Sequence, residues 1–278
     1  LGGKGSKPKT MIPKDELIAH ADIRTKPMFY NDEETEQINR LTELLMPEKF
    51  AQVQERLRQK GRRTGICALF YGGPGVGKTE TIRQIAKATG RDIFMVDMAL
   101  KSKWIGESEK NLKQVFKTYK RLVRESEVAP ILLFNEADAI FGKRLVEETS
   151  AEKLNNALQN IILQEMEDLE GILIATTNMT KSFDAAFERR FLYKVRFEKP
   201  SLETKSKIWS SMMPELTESQ AEELAREYDF SGGQIENISR KKKIQSIIEC
   251  CEPDFATLKE YCGEEQLNSE QKRRRIGF

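Results

Sequence analysis

Residues 72–79 read GGPGVGKT, and side chains of these types at this spacing are suited above all to holding the phosphates of a nucleotide. The run fits the template of a glycine, four free positions, then Gly-Lys-Thr. Gly72, Gly75 and Gly77 free the backbone to turn sharply and bring its N–H groups close to an anion. Lys78 can reach β- and γ-phosphate oxygens, and the Thr79 hydroxyl can ligate Mg²⁺. Gly73, Pro74, Gly75, Val76, Gly77, Lys78, Thr79 and Glu80 are therefore the candidate cofactor-binding stretch. The flanks agree with it. Residues 66–71 (ICALFY) form an apolar run suited to a buried strand, and 80–88 (ETIRQIAKA) carry apolar residues at helical spacing. A helix N-terminus is thereby aimed at the phosphates.

The elements that must position this loop alternate along the chain. Helical spacing appears over 32–59, broken by Pro47, and the strand before the loop and the helix after it come next. Strand signals at 92–96, 131–135, 172–176 and 192–197 then alternate with helical signals at 109–125 and 151–166. Such alternation predicts a parallel sheet flanked by helices, with ligands outside the carboxyl ends of the strands. From Pro200 the strand signals stop, and 202–213, 218–228, 233–251 and 254–262 read as helices. The expected fold is an α/β domain over 31–199 followed by a smaller all-helical lid domain over 200–263. Residues 1–30 read as a flexible arm or linker, and 264–278 as a frayed basic tail. There is no internal repeat and no low-complexity tract.

Composition narrows the function classes. Lys and Arg number 46 against 44 Asp and Glu, a balance that argues against a dedicated nucleic-acid binder. No apolar run approaches the roughly 18 residues that a membrane span needs. The N-terminal LGGKGSKPKT lacks an apolar signal core and an initiator Met, and reads as a tag remnant or the cut edge of a longer chain. Cys67, Cys250, Cys251 and Cys262 show no metal-ligand spacing and read as reduced thiols, which fits a cytoplasmic protein. His20 is the sole histidine, which excludes a histidine-based triad or a multi-histidine metal site.

Later residues choose among phosphate-loop enzymes. PILLFNEAD at 130–138 is an apolar strand ending in a polar-acidic pair, where a phosphate-loop ATPase carries its Mg²⁺-associated and water-activating carboxylates. Here the chain resembles the AAA+ ATPases, over roughly residues 29–262, and the resemblance gives Glu136 the task of polarising the attacking water. Asn135 departs from the family pattern, which has Asp there holding Mg²⁺ mainly through a water. Its carbonyl can accept from a metal-bound water but brings no negative charge. Two readings stay open: a working site that tolerates Asn135, or a slow, switch-like one.

The resemblance also implies that Asn178, closing TTN at 176–178, lies between the γ-phosphate and the attacking water. The segment FDAAFERRF at 183–191 resembles the family's arginine-finger segment, without deciding between Arg189 and Arg190. A guanidinium supplied in trans is worth roughly 10³–10⁵ in rate in related systems. It requires head-to-tail contacts that close into a ring, which the resemblance gives as a nucleotide-dependent homo-hexamer. Trp104, Ile105 and Gly106 resemble the pore loop of members that thread polypeptides, although Trp104 could instead close over a local core. A second, charged loop around 142–150 (Lys143, Arg144, Glu147, Glu148) reads as pore-lining or simply solvated. SGGQIEN at 231–237 resembles the sensor-2 turn, in which Gly233 lets the backbone approach the nucleotide. Arg240 is either a phosphate contact or, with Lys241–243, part of a basic helix face.

The cofactors implied are ATP and Mg²⁺, and the implied partner is a polypeptide substrate. A DNA-acting member and a nucleotide-gated assembly switch are the rivals; neither basic cluster, 240–243 or 272–275, favours DNA. A GTPase is disfavoured because NMTK at 178–181 lacks the Asn-Lys-x-Asp guanine signal.

Overall fold

The computed structural model describes residues 17–98, 108–141, 150–180 and 183–276. Its strands are β1 (Leu17–Ile18), β2 (Ile66–Gly72), β3 (Ile93–Asp97), β4 (Ile131–Asn135), β5 (Ile172–Thr177) and β6 (Tyr193–Phe197). They form one sheet in the order β1-β3-β4-β5-β2-β6. β3 pairs with β4 and β4 with β5 in parallel, with Asp97 opposite Asn135 and Phe134 opposite Ala175. All six residues of β5 and the first four of β4 are buried, which is why both read as continuous apolar runs without alternation. β1 is the exception: two residues pair antiparallel with the outer edge of β3, inside the stretch that the sequence marks only as an arm. Two residues carry no periodicity, so only the pairing itself reveals such a strand.

Between the strands run α1 (Asp32–Leu44), α2 (Pro47–Gln59), α3 (Lys78–Thr89), α4 (Ser108–Glu125), α5 (Asp138–Phe141), α6 (Ser150–Glu167) and α7 (Ala185–Glu188). Helix α4 buries Leu112, Phe116 and Tyr119, spaced to fall on one face. The Tyr119 hydroxyl accepts from the Ile172 N–H at 2.6 Å and lies 2.9 Å from the Pro130 carbonyl, tying α4 to the starts of β4 and β5. A Cβ on Gly171 would meet that hydroxyl at 2.2 Å, so only glycine fits there. Arg91 is buried under the Phe50 ring and donates to the Leu45 and Ala129 carbonyls, which satisfies a charge that would otherwise be costly to bury.

The C-terminal helices are α8 (Leu202–Met212), α9 (Glu218–Glu227), α10 (Gly232–Glu249) and α11 (Phe255–Ile276). Ser201, Thr217 and Ser231 cap α8, α9 and α10, the last two as reciprocal capping boxes. Trp209, Leu224, Ile235, Leu258 and Cys262 belong to the core beneath them. α11 continues to Ile276, so the backbone of the basic run at 272–275 is helical.

Two compact units result, and they interleave along the sequence. One holds residues 17–25, Arg40–Phe70 and Ile82–Lys194; the other holds Lys26–Asn39, Tyr71–Thr81 and the chain from Val195. The chain passes between them within β2, α3 and β6, and within α1. The phosphate loop thus belongs to the same unit as the C-terminal helices.

Candidate functional site

In the phosphate-loop unit, β2 ends at Gly72 and α3 begins at Lys78, the strand-turn-helix context the motif requires. Gly72, Gly75 and Gly77 all hold positive φ, at 147°, 76° and 95°. Each is further committed by its neighbours: a Cβ would come 2.0 Å from the Phe197 carbonyl oxygen at Gly72, and 2.9 Å from the Ser231 hydroxyl at Gly75. The buried Lys78 ammonium donates to the Gly72 and Gly73 carbonyls, at 2.7 Å each. These bonds fold the lysine over its own loop. Thr79 and Glu80, half-buried in the first turn of α3, follow directly.

Two segments close on the loop within this unit. From α10, the Gly233 N–H donates to the Gly75 carbonyl at 2.9 Å, and a Cβ there would meet that oxygen at 3.2 Å. Ser231, the cap of α10, sits beside Gly75. From the segment before α1, Met28 lies against Gly77, and the Tyr30 hydroxyl donates to Thr81 Oγ1 at 3.0 Å. Burial pushes the Tyr30 phenol up to about 12, so it stays protonated and donating at neutral pH. Lys26 lies 3.6 Å from Glu236 and 3.9 Å from Glu80. Tyr30 and Met28 carried no motif, and only contact with the loop identifies them. A glycine-rich turn with an ammonium, a hydroxyl and the amides of a helix N-terminus fits a magnesium–triphosphate by donor chemistry.

The other unit holds the strand ends. The half-buried Asn135 closes β4, and Glu136, exposed, follows with φ 53°. For a side chain with a Cβ that left-handed conformation costs about 1–2 kcal/mol. Thr176 holds it in place. Its hydroxyl accepts from the Glu136 N–H at 2.9 Å and donates to Asn135 Oδ1 at 3.1 Å, while its carbonyl accepts from the Ala137 N–H. Asp138 fixes the end of β5: one carboxylate oxygen accepts from the Thr177 hydroxyl and the Asn178 N–H, both at 2.6 Å, and from the Met179 N–H at 3.2 Å. Asn178 is thereby held at the end of β5 by a residue that the motif contains but whose role no spacing marks.

The two arginines part company. Phe141 meets Phe187 and Phe191 edge-to-face at 4.9 and 5.3 Å, which pins α7. Behind it Arg190 turns back onto the Ala186 carbonyl at 2.9 Å and pairs with Glu167, which also lies 3.3 Å from Arg63. Arg189 is exposed and makes no side-chain bond among the described residues. Trp104, Ile105 and Gly106, and the charged loop at 142–149, lie outside the described residues.

The comparisons decide the family. Residues 68–199 match the model of the ATPase family associated with various cellular activities (AAA). The chain belongs to the AAA family. Protein CdcH of Halobacterium salinarum is 30% identical over 216 residues, covering 73% of this chain and 27% of that protein. Vacuolar protein sorting-associated protein 4B of Mus musculus is 31% identical over 202 residues, covering 67% and 43%. The 26S proteasome regulatory subunit 6A of Saccharomyces cerevisiae is 29% identical over 251 residues, covering 81% and 55%. This AAA chain therefore spans about a quarter to a little over half the length of these relatives. Its sheet with flanking helices and C-terminal helical part is the AAA architecture expected from the sequence. No helix among the described residues is long and apolar enough to cross a membrane.

Proposed function

We propose that this chain binds ATP with Mg²⁺ and hydrolyses it, as one subunit of a homo-oligomeric ring, hexameric by family resemblance, that remodels or threads a polypeptide. The observation that carries the reading is the Gly72–Lys78 turn, whose three positive-φ glycines open α3 and receive a bond from Gly233 of α10. Lys78 and the loop amides hold the phosphates, and Thr79 serves as the metal's hydroxyl ligand. Mg²⁺, when bound, neutralises charge on the β- and γ-phosphate oxygens. Glu136, held on its strained turn, orients the attacking water and takes its proton, and Asn178 senses the γ-phosphate. Arg189 acts in trans on the neighbouring subunit; its exposure supports this choice, while Arg190 is spent on Glu167 and Ala186.

The relatives bear on the substrate only through their names: one is a vacuolar protein-sorting protein and another a proteasome regulatory subunit. With the Trp104-Ile105-Gly106 sequence they support a polypeptide rather than DNA. Four free cysteines support a cytoplasmic location. A second reading, the nucleotide-gated switch with little turnover, is favoured by Asn135 alone.

Binding of a fluorescent ATP analogue and phosphate release, measured on the same samples, test the proposal. Lys78→Ala should lose both, and Glu136→Gln should keep binding and lose hydrolysis. Wild-type protein that binds tightly without turning over at any protein concentration would leave the switch reading in its place. Normal ATPase with unimpaired substrate remodelling in Trp104→Ala would contradict threading.

A further inference from the structure

Helix α4 holds six cations and two carboxylates, Glu109 and Glu125, which stand one at each end. The whole chain is close to balanced, 46 against 44, so the surplus on α4 exceeds the net charge of +2. Leu112, Phe116 and Tyr119 are buried, and helical periodicity sends Lys110, Lys113, Lys117 and Arg121 to the opposite face. Lys110, Lys113 and Lys117 are exposed and line one open depression with Gln114, while Arg121 is half-buried.

Other helices neutralise their own cations. Arg58 pairs with Glu55, Lys207 with Glu203 and Arg226 with Glu222, each within one helix. On α4, Lys120 pairs with Glu165 of α6 at 2.7 Å, and Arg124 shares a groove with Asp168 and Glu170. Lys113, Lys117 and Arg121 make no ion pair among the described residues. They follow one another at i, i+4, a spacing at which like charges oppose helix formation. Negative charge from outside the helix would relieve that repulsion.

The face also indicates what brings the charge. Single-stranded nucleic acid is held largely by stacking on aromatic side chains, and the aromatics of α4, Phe116 and Tyr119, are both buried. A polypeptide needs no such platform. From Lys110 to Arg121 the stripe runs about 17 Å along the helix axis, the length of about five extended residues. In the sequence, α4 opens at Ser108, directly after the Trp104-Ile105-Gly106 stretch.

We propose that this face of α4 docks an extended acidic segment of a polypeptide, whose carboxylates neutralise Lys113, Lys117 and Arg121. The proposal rests on the polypeptide reading above and deepens it by naming the charge of the segment that is bound. Exposed ion pairs are individually weak, so docking needs several at once and falls as salt rises.

The test is fluorescence anisotropy of a labelled poly-glutamate peptide added to the full chain at low salt, with labelled oligothymidylate as the rival probe. Poly-glutamate should bind to wild type and be released by added salt. Lys113→Gln combined with Lys117→Gln, matched to wild type in thermal melting, should weaken binding about tenfold or more and leave basal ATP hydrolysis unchanged. Lys113→Arg combined with Lys117→Arg should retain binding, as should Arg226→Gln on α9. Undiminished binding in the double glutamine variant, or no binding by wild type, would overturn the proposal while leaving the polypeptide reading to the Trp104→Ala experiment. Oligothymidylate binding that depends on Lys113 and Lys117, without poly-glutamate binding, would overturn both.

Discussion

The phosphate-loop unit and the strand-end unit solve the same problem, holding polar groups still, in different ways. Around the loop the work is done by backbone: three glycines at positive φ, carbonyls folded under Lys78, and the Gly233 N–H on Gly75. At the strand ends it is done by side chains that hold other side chains, with Thr176 on Asn135 and Asp138 on Thr177 and Asn178. A backbone device depends on the absence of a Cβ and fails all at once. A network of hydrogen bonds loses its members one at a time, and each contributes about 0.5–1.5 kcal/mol, more where a charge takes part.

That contrast orders the expected effects. The largest belongs to Gly72→Ala, where the Cβ would meet the Phe197 carbonyl at 2.0 Å. It should abolish nucleotide binding and lower the melting temperature together; near-wild-type binding by titration would break the backbone half of the comparison. Next is Glu136→Gln, for which phosphate release should fall roughly 10²–10⁴-fold, the usual worth of a general base, with binding retained. A loss of affinity as large as the loss of rate would show the two units are not separable in this way.

Smaller effects sharpen the strand-end half. Asp138→Ala should lower kcat about tenfold with nucleotide affinity unchanged, and should cost roughly 1–3 kcal/mol in denaturant melts, because three donors lose their acceptor. Arg189→Ala and Arg190→Ala should separate: the first reduces turnover without moving the melting temperature, and the second destabilises. The reverse pattern would exchange their roles. The smallest change is Tyr30→Phe, which removes one hydrogen bond to Thr81 and should cost about 1 kcal/mol, read as a shift in the denaturation midpoint.

The same contrast explains what the sequence could reveal. GGPGVGKT is legible because glycine at fixed spacing is itself the device. The buried strands are legible because ILLF and ILIA are continuous apolar runs. Thr176, Asp138 and Tyr30 are polar residues of common types, and their roles depend on which strand end or turn lies opposite. Strand β1 stayed hidden because two residues have no period, and the grouping of the loop with the C-terminal helices because β2, α3 and β6 carry the chain between units. Arg189 and Arg190, adjacent and chemically identical, are told apart by the Ala186 carbonyl and by Glu167, more than twenty positions away.

The central claim, that this chain is an ATPase whose arginine arrives from a neighbour, meets its most direct test in steady-state ATP hydrolysis across a wide range of protein concentration, with Lys78→Ala as background. Specific activity should rise with concentration and disappear in Lys78→Ala. A rate indistinguishable from Lys78→Ala at every concentration would contradict it.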